Sequence, residues 1–117
     1  MKKIYYLSTC STCNRIIKEL QLDDSFVFQD IKTEKITEEQ LAEMAKMSGT
    51  YESLFSRRAL KYKALELKDK NLSETDYKNY ILEEYTFLKR PVIIINNAIF
   101  VGNSKKIVEA AALEISK

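Results

Sequence analysis

Residues 3–20 read KIYYLSTCSTCNRIIKEL, and the change of rhythm inside them decides the fold. The opening KIYYL is short, β-branched and aromatic and runs into a Ser/Thr cluster, the pattern of a buried strand ending in a loop. Behind the loop, Ile16, Ile17 and Leu20 fall on one helical stripe while Arg15, Lys18 and Glu19 point elsewhere. A helix is therefore expected to start between Ser11 and Cys13 and to end by Asp23. SFVFQDI, at 25–31, then alternates like a second strand. Strand, helix, strand is the beginning of a βαβ unit, with the helix on one face of the sheet.

The loop holds the chain's two cysteines, Cys10 and Cys13. They read as a redox pair, as half of a metal site completed by a second subunit, or as two small buried side chains. A thiol at a helix start lies near unsatisfied amide N–H groups and the positive end of the helix dipole, both of which favour the thiolate. Cys10, in the loop, is thus the expected nucleophile. Cys13, about one helical turn further on, is the expected resolving thiol. The chain has no histidine, so neither an imidazole base nor a Cys2His2 zinc site can be built from it, and no metal is expected.

The 117 residues are 45% apolar and 31% charged, which fits one compact domain spanning 1–117. A net charge of +2 gives no ground for nucleic-acid binding or a polybasic membrane anchor. MKKIYYLSTC has too short an apolar run for a signal peptide or a membrane span, so the protein is expected to be cytoplasmic. Thiols are kept reduced there, which favours a functional pair over a structural disulfide.

Further along, TEEQLAEMAKMSG starts a helix at Thr37, with Thr37 and Gln40 as a capping box, Leu41, Met44 and Ala45 on one face, and Gly49 as the stop. A short helix is expected over 51–55, another from near Arg58, and a longer one capped by Ser73 to Asp76 that carries Tyr77, Tyr80, Ile81 and Tyr85 inward. PVIII and AIFV flank Asn96-Asn97 as an antiparallel hairpin closed by a two-residue turn. A last helix from Asn103 or Ser104 offers Ile107, Val108, Ala111 and Leu113 or Ile115 to the sheet. The order predicts an α/β domain with a mixed sheet covered by helices, and a helical insert at about 34–88.

Two arginine elements complete the candidates. Arg90-Pro91 immediately precedes the hairpin. A proline at the first residue of a strand fits the ladder as it stands, whereas a cis bond would aim the neighbouring backbone and Arg90 at whatever lies opposite. Arg57-Arg58 stand at a helix start, where the dipole disfavours cations, and read as a solvated patch or as partners for an oxyanion.

With these residues together, the chain resembles the ArsC/Spx family along essentially its whole length. The likeness rests on the strand followed by Cys10-Ser11-Thr12-Cys13, on Ser56-Arg57-Arg58 with Tyr62 and Leu65, and on LKRPVII at 88–94. It implies a thioredoxin-like, glutaredoxin-like fold with a four-stranded mixed sheet, the insert separating its βαβ half from its hairpin–helix half. It implies Cys10 as nucleophile, a cis Pro91, and Arg58 with Arg90 facing an oxyanion. The implied activity is thiol-dependent reduction of an oxyanion such as arsenate, with glutathione or another thiol as reductant, glutaredoxin as a partner and no bound cofactor. The alternatives are an Spx-like redox regulator that binds RNA polymerase and a general thiol–disulfide exchanger.

The sequence departs from the arsenate-reducing pattern in three places. Val101-Gly102-Asn103 stands where those enzymes carry a third arginine, leaving Lys105 or Lys106 to supply a cation. Some of them carry a histidine before the nucleophile, near the position of Tyr6, and usually they lack a counterpart of Cys13. Spx proteins share the second cysteine and the glycine after the hairpin, but continue into a charged C-terminal segment, whereas the sequence here ends at Lys117.

Overall fold

In the computed structural model, which describes residues Met1–Lys117, four strands form one sheet. They are β1 (Lys2–Tyr6), β2 (Val27–Asp30), β3 (Val92–Ile95) and β4 (Ala98–Val101), in the order β2-β1-β3-β4. β1 runs parallel to β2 and antiparallel to β3, and β3 runs antiparallel to β4. The helices are α1 (Ser11–Glu19), α2 (Glu38–Ser48), α3 (Leu60–Ala64), α4 (Glu74–Glu83) and α5 (Lys105–Ile115). This is the mixed four-stranded, thioredoxin-like arrangement expected from the resemblance. No helix is long and apolar enough to cross a membrane.

The chain divides into two compact units, Met1–Lys35 with Arg90–Lys117, and Ile36–Lys89. The first holds the sheet, α1 and α5. β3 is central and its VIII sequence is buried throughout, as a strand covered on both faces requires. Ile4 pairs in register with Ile93, and the two join Ile95, Ile16, Leu20, Phe26, Val108 and Ala111 in one apolar cluster. Both α1 and α5 therefore contribute to the same core. Of the two residues offered at the end of α5, Ile115 packs there and Leu113 is exposed. At 25–31 the observed strand is shorter than the expected one, and as an edge strand it leaves Val27 58% and Phe28 38% exposed. The residue turned inward is Gln29, whose Nε2 donates to the Glu34 carbonyl at 3.1 Å.

The second unit is helical. Both α2 and α4 begin with complete capping boxes, Thr37 with Gln40 and Ser73 with Asp76, so the first-turn amides find acceptors. α2 ends at Gly49, whose φ of 109° is a conformation that a Cβ would strain. The short helix expected over 51–55 is a 3-10 turn at Glu52–Leu54. It is held by the Glu74 carboxylate, which accepts from the amides of Tyr51 at 2.7 Å and Glu52 at 3.1 Å. Phe55 stacks on Phe87 at 4.9 Å and meets the Tyr77 ring edge-on at 4.9 Å. Around this aromatic centre the Ser56 amide donates to the Phe87 carbonyl and the Lys89 amide to the Leu54 carbonyl, closing the unit near its C-terminal limit.

Candidate functional site

Cys10 is the N-cap of α1: its backbone is extended (φ −91°, ψ 112°) and its sulfur accepts the Cys13 amide N–H at 3.4 Å. A cap normally supplies a side-chain oxygen to these orphan amides, and here a sulfur takes that place. The loop that presents it is tied at several points. The Cys10 amide donates to the Leu7 carbonyl at 3.0 Å, and Asn14 Nδ2 donates to the Ser8 carbonyl at 2.9 Å. Ser8 Oγ donates to Asp30 Oδ2 at 2.5 Å, joining the loop to the end of β2. Asp30 also accepts the Lys32 amide, and these hydrogen bonds, led by that from Ser8, hold its carboxyl below the usual carboxylate range.

The two thiols are free and unlike. Cys10 is half-buried, and burial alone would raise its pKa. That effect is outweighed by hydrogen bonds from the Cys13 amide and thiol, the charge of Arg90 and the Thr12 amide, which bring Cys10 below the ordinary thiol value. Cys13 is fully buried, and burial, together with the hydrogen bond and charge of Cys10, pushes it up to about 11 despite opposing effects of the Leu7 backbone and Arg90. The site thus favours the thiolate of Cys10 and keeps Cys13 protonated at neutral pH.

Arg90 acts on both sulfurs and precedes a cis peptide bond to Pro91. The buried Pro91 leads into β3, and its carbonyl accepts the Gly102 amide at 2.9 Å, fastening the end of β4 at this point. Gly102 itself has a φ of 95°. The sheet unit thus brings together Cys10, Cys13, Arg90 and Pro91. Arg58 belongs to the helical unit, where it is exposed and its amide donates to Ser56 Oγ. Its neighbour Arg57 is held within that unit by Glu52 at 2.9 Å, the Tyr77 hydroxyl at 3.2 Å and the Tyr77 ring face, which makes it a structural residue.

Lys105 and Lys106 are the lysines offered in place of the third arginine, and Lys105 points to solvent. It is 91% exposed and approaches Glu109, one turn along α5, at 4.0 Å. It lines a surface groove of about 340 Å³ with Arg15, Glu19, Asn103, Val108 and Glu109, in which each cation is matched by a carboxylate. Sequence reasoning missed Ser8, Asn14 and Asp30, which hold the Cys10 loop. The polar residues flanking the cysteines were visible, but nothing local marks the partner at the end of β2.

Comparison with known proteins agrees with this architecture. The ArsC family model matches residues 5–111. The YffB (PA3664) protein superposes with a TM-score of 0.77 at 24% identity, covering 97% of this chain and 99% of that one. An arsenate reductase from Vibrio cholerae gives 0.72 at 22% identity, covering 97% and 96%. A protein from Streptococcus mutans UA159 described as a possible arsenate reductase gives 0.69 at 26% identity, covering 90% and 92%. No curated protein matches the sequence. With a family match across most of its length and a thioredoxin-like sheet that sets a capped cysteine beside Arg90, the chain belongs to the ArsC family, a family of thiol oxidoreductases.

Proposed function

We propose that the protein is a thiol-dependent reductase of the arsenate-reductase type, with Cys10 as its nucleophile. The observation that carries the reading is the Cys10 sulfur at the N-cap of α1, accepting the Cys13 amide under the charge of Arg90. A thiolate must meet an oxyanion there, and amide donors with a guanidinium offset the repulsion between them.

In this reading the Cys10 thiolate attacks arsenic, an arsenate hydroxyl takes up a proton from solvent and leaves as water, and a Cys10 sulfur–arsenic(V) bond forms. A second thiol then attacks the Cys10 sulfur. The disulfide forms, the sulfur–arsenic bond breaks, and its electron pair stays with arsenic, reducing arsenic(V) to arsenic(III). Cys13, whose amide meets the Cys10 sulfur at 3.4 Å, is the neighbouring thiol for the second step. Glutathione, alone or through glutaredoxin, then reduces the pair.

The test is arsenite formation from arsenate with glutathione, with and without glutaredoxin. Turnover is expected in the wild type, none in Cys10→Ser, and a weakening of arsenate binding by about 1.5–3 kcal/mol in Arg90→Ala, the scale of a hydrogen bond to a charged group. Arg58→Ala measures the share of the second arginine that the family resemblance assigns. A second reading, general thiol–disulfide exchange, is favoured by Val101-Gly102-Asn103 standing where the arsenate-reducing enzymes carry a third arginine. Cys10-dependent reduction of a small uncharged disulfide, with no arsenate turnover and no inhibition by sulfate or phosphate, would establish that reading and remove the first.

A further inference from the structure

α3 is supported on one side only. Its five residues include none that is buried, no side chain caps its N-terminus, and no acidic residue stands in its first turn. Five residues are far below the length at which a helix is stable alone in water. On its inner side it is held by Tyr62, whose ring meets Phe55 at 6.1 Å, and the segment after it is anchored by the buried Leu67. On its outer side Leu60 is 89% exposed, with the exposed Ala64 one turn further on the same stripe, and Leu65 is 43% exposed just beyond.

Charge is concentrated around these apolar residues. Residues 57–70 contain six Lys/Arg and two Asp/Glu, a net +4 in a chain whose total is +2, so the remaining residues together are net negative at −2. Arg57 is neutralised by Glu52, whereas Lys61, Lys63, Lys68 and Lys70 are all exposed and none is in an ion pair. Lys61 and Lys63 flank the Leu60–Ala64 stripe directly.

We propose that Leu60, Leu65 and the lysines around them form a docking surface for a partner protein's amphipathic helix, its leucine ridge flanked by carboxylates. An exposed leucine at the middle of a like-charged rim has the arrangement of an interface anchor, with charge supplying encounter and selectivity and the apolar side chain supplying the burial. Nucleic acid would use the lysines and leave Leu60 without a function, since phosphate contacts are made by cations and polar donors. A membrane surface needs a broader apolar face than two leucines and an alanine provide. The surface lies in the helical unit.

The test uses the full chain and a fluorescent helical peptide with leucines at i, i+3, i+4 and i+7 and glutamates on the flanks, followed by anisotropy. Saturable binding is expected. It should weaken at least tenfold in Leu60→Ser, at least tenfold in Lys61→Glu/Lys63→Glu, and progressively with added salt. A glutamate-only peptide of the same length should bind at least tenfold more weakly. Circular dichroism checks that the variants remain folded, and alkylation of Cys10 should be unchanged in them. Absence of saturable binding, or binding indifferent to Leu60→Ser, overturns the proposal. So does tighter binding to duplex DNA or to phosphatidylglycerol vesicles, and so does self-association of the chain that Leu60→Ser abolishes while the peptide does not compete.

Discussion

Cys10 and Cys13 are the same residue type three positions apart, and the fold separates their chemistry. Cys10 is lowered and Cys13 is raised to about 11. Iodoacetamide at pH 7 should therefore label Cys10 and spare Cys13, as peptide mapping would show, and equal labelling of the two would contradict the site. The same shifts act on stability with opposite signs. Between its lowered folded value and its unfolded value, Cys10 holds fewer protons folded than unfolded, so its contribution grows as pH rises through that window and is lost as pH falls through the folded value. Cys13 stabilises fully below the unfolded value, and that contribution is lost as pH rises from the ordinary 9.0 to about 11. At about 1.36 kcal/mol per unit, the loss is roughly 3 kcal/mol. Urea midpoints should fall more steeply over this range in the wild type than in Cys13→Ala. Equal slopes would show that burial does not hold the thiol neutral.

At the scale of single elements the caps set the boundaries. Replacing Thr37 or Ser73 by Ala leaves a first-turn amide without its acceptor and should cost about 1 kcal/mol each, read as a lower urea midpoint with an unchanged slope. These elements were legible because their signals are local: a hydroxyl followed three residues later by Gln or Asp, a glycine at the end, and an Asn-Asn turn between apolar runs. β2 was less so. Phe26 and Phe28 alternate as inward positions should, but at a sheet edge the face carrying Phe28 is only partly covered, and Gln29 goes inside because its amide finds the Glu34 carbonyl. α3 was expected from near Arg58, and it starts at Leu60 because the chain is still extended at Ala59. Periodicity likewise offered both Leu113 and Ile115 to the core, and packing took Ile115.

Across the whole molecule, what was legible is what strand order and a family pattern convey: a mixed sheet, a helical segment between its halves, and a cysteine loop near Arg90. The tie from Ser8 to Asp30 was not, because it joins residues 22 positions apart whose types carry no sign of each other. The two units differ in this same respect. Within Ile36–Lys89 the contacts join residues of one continuous segment, whereas the sheet is interrupted by that segment, and Lys2 finds its register partner only at Ile95. A chain leaving the ribosome has therefore completed the helical unit before β3 exists, and β1 must wait for most of the protein to be made. Because distant pairings form late and local ones early, refolding followed by pulsed hydrogen exchange should protect α2 and α4 before β1 and β3. Simultaneous protection would mean that the sheet and the helices assemble in one step. During synthesis Ile4 and Tyr5 of β1 are thus left without their central neighbour, which makes the emerging N-terminal segment a stretch of this protein in need of shelter from other chains.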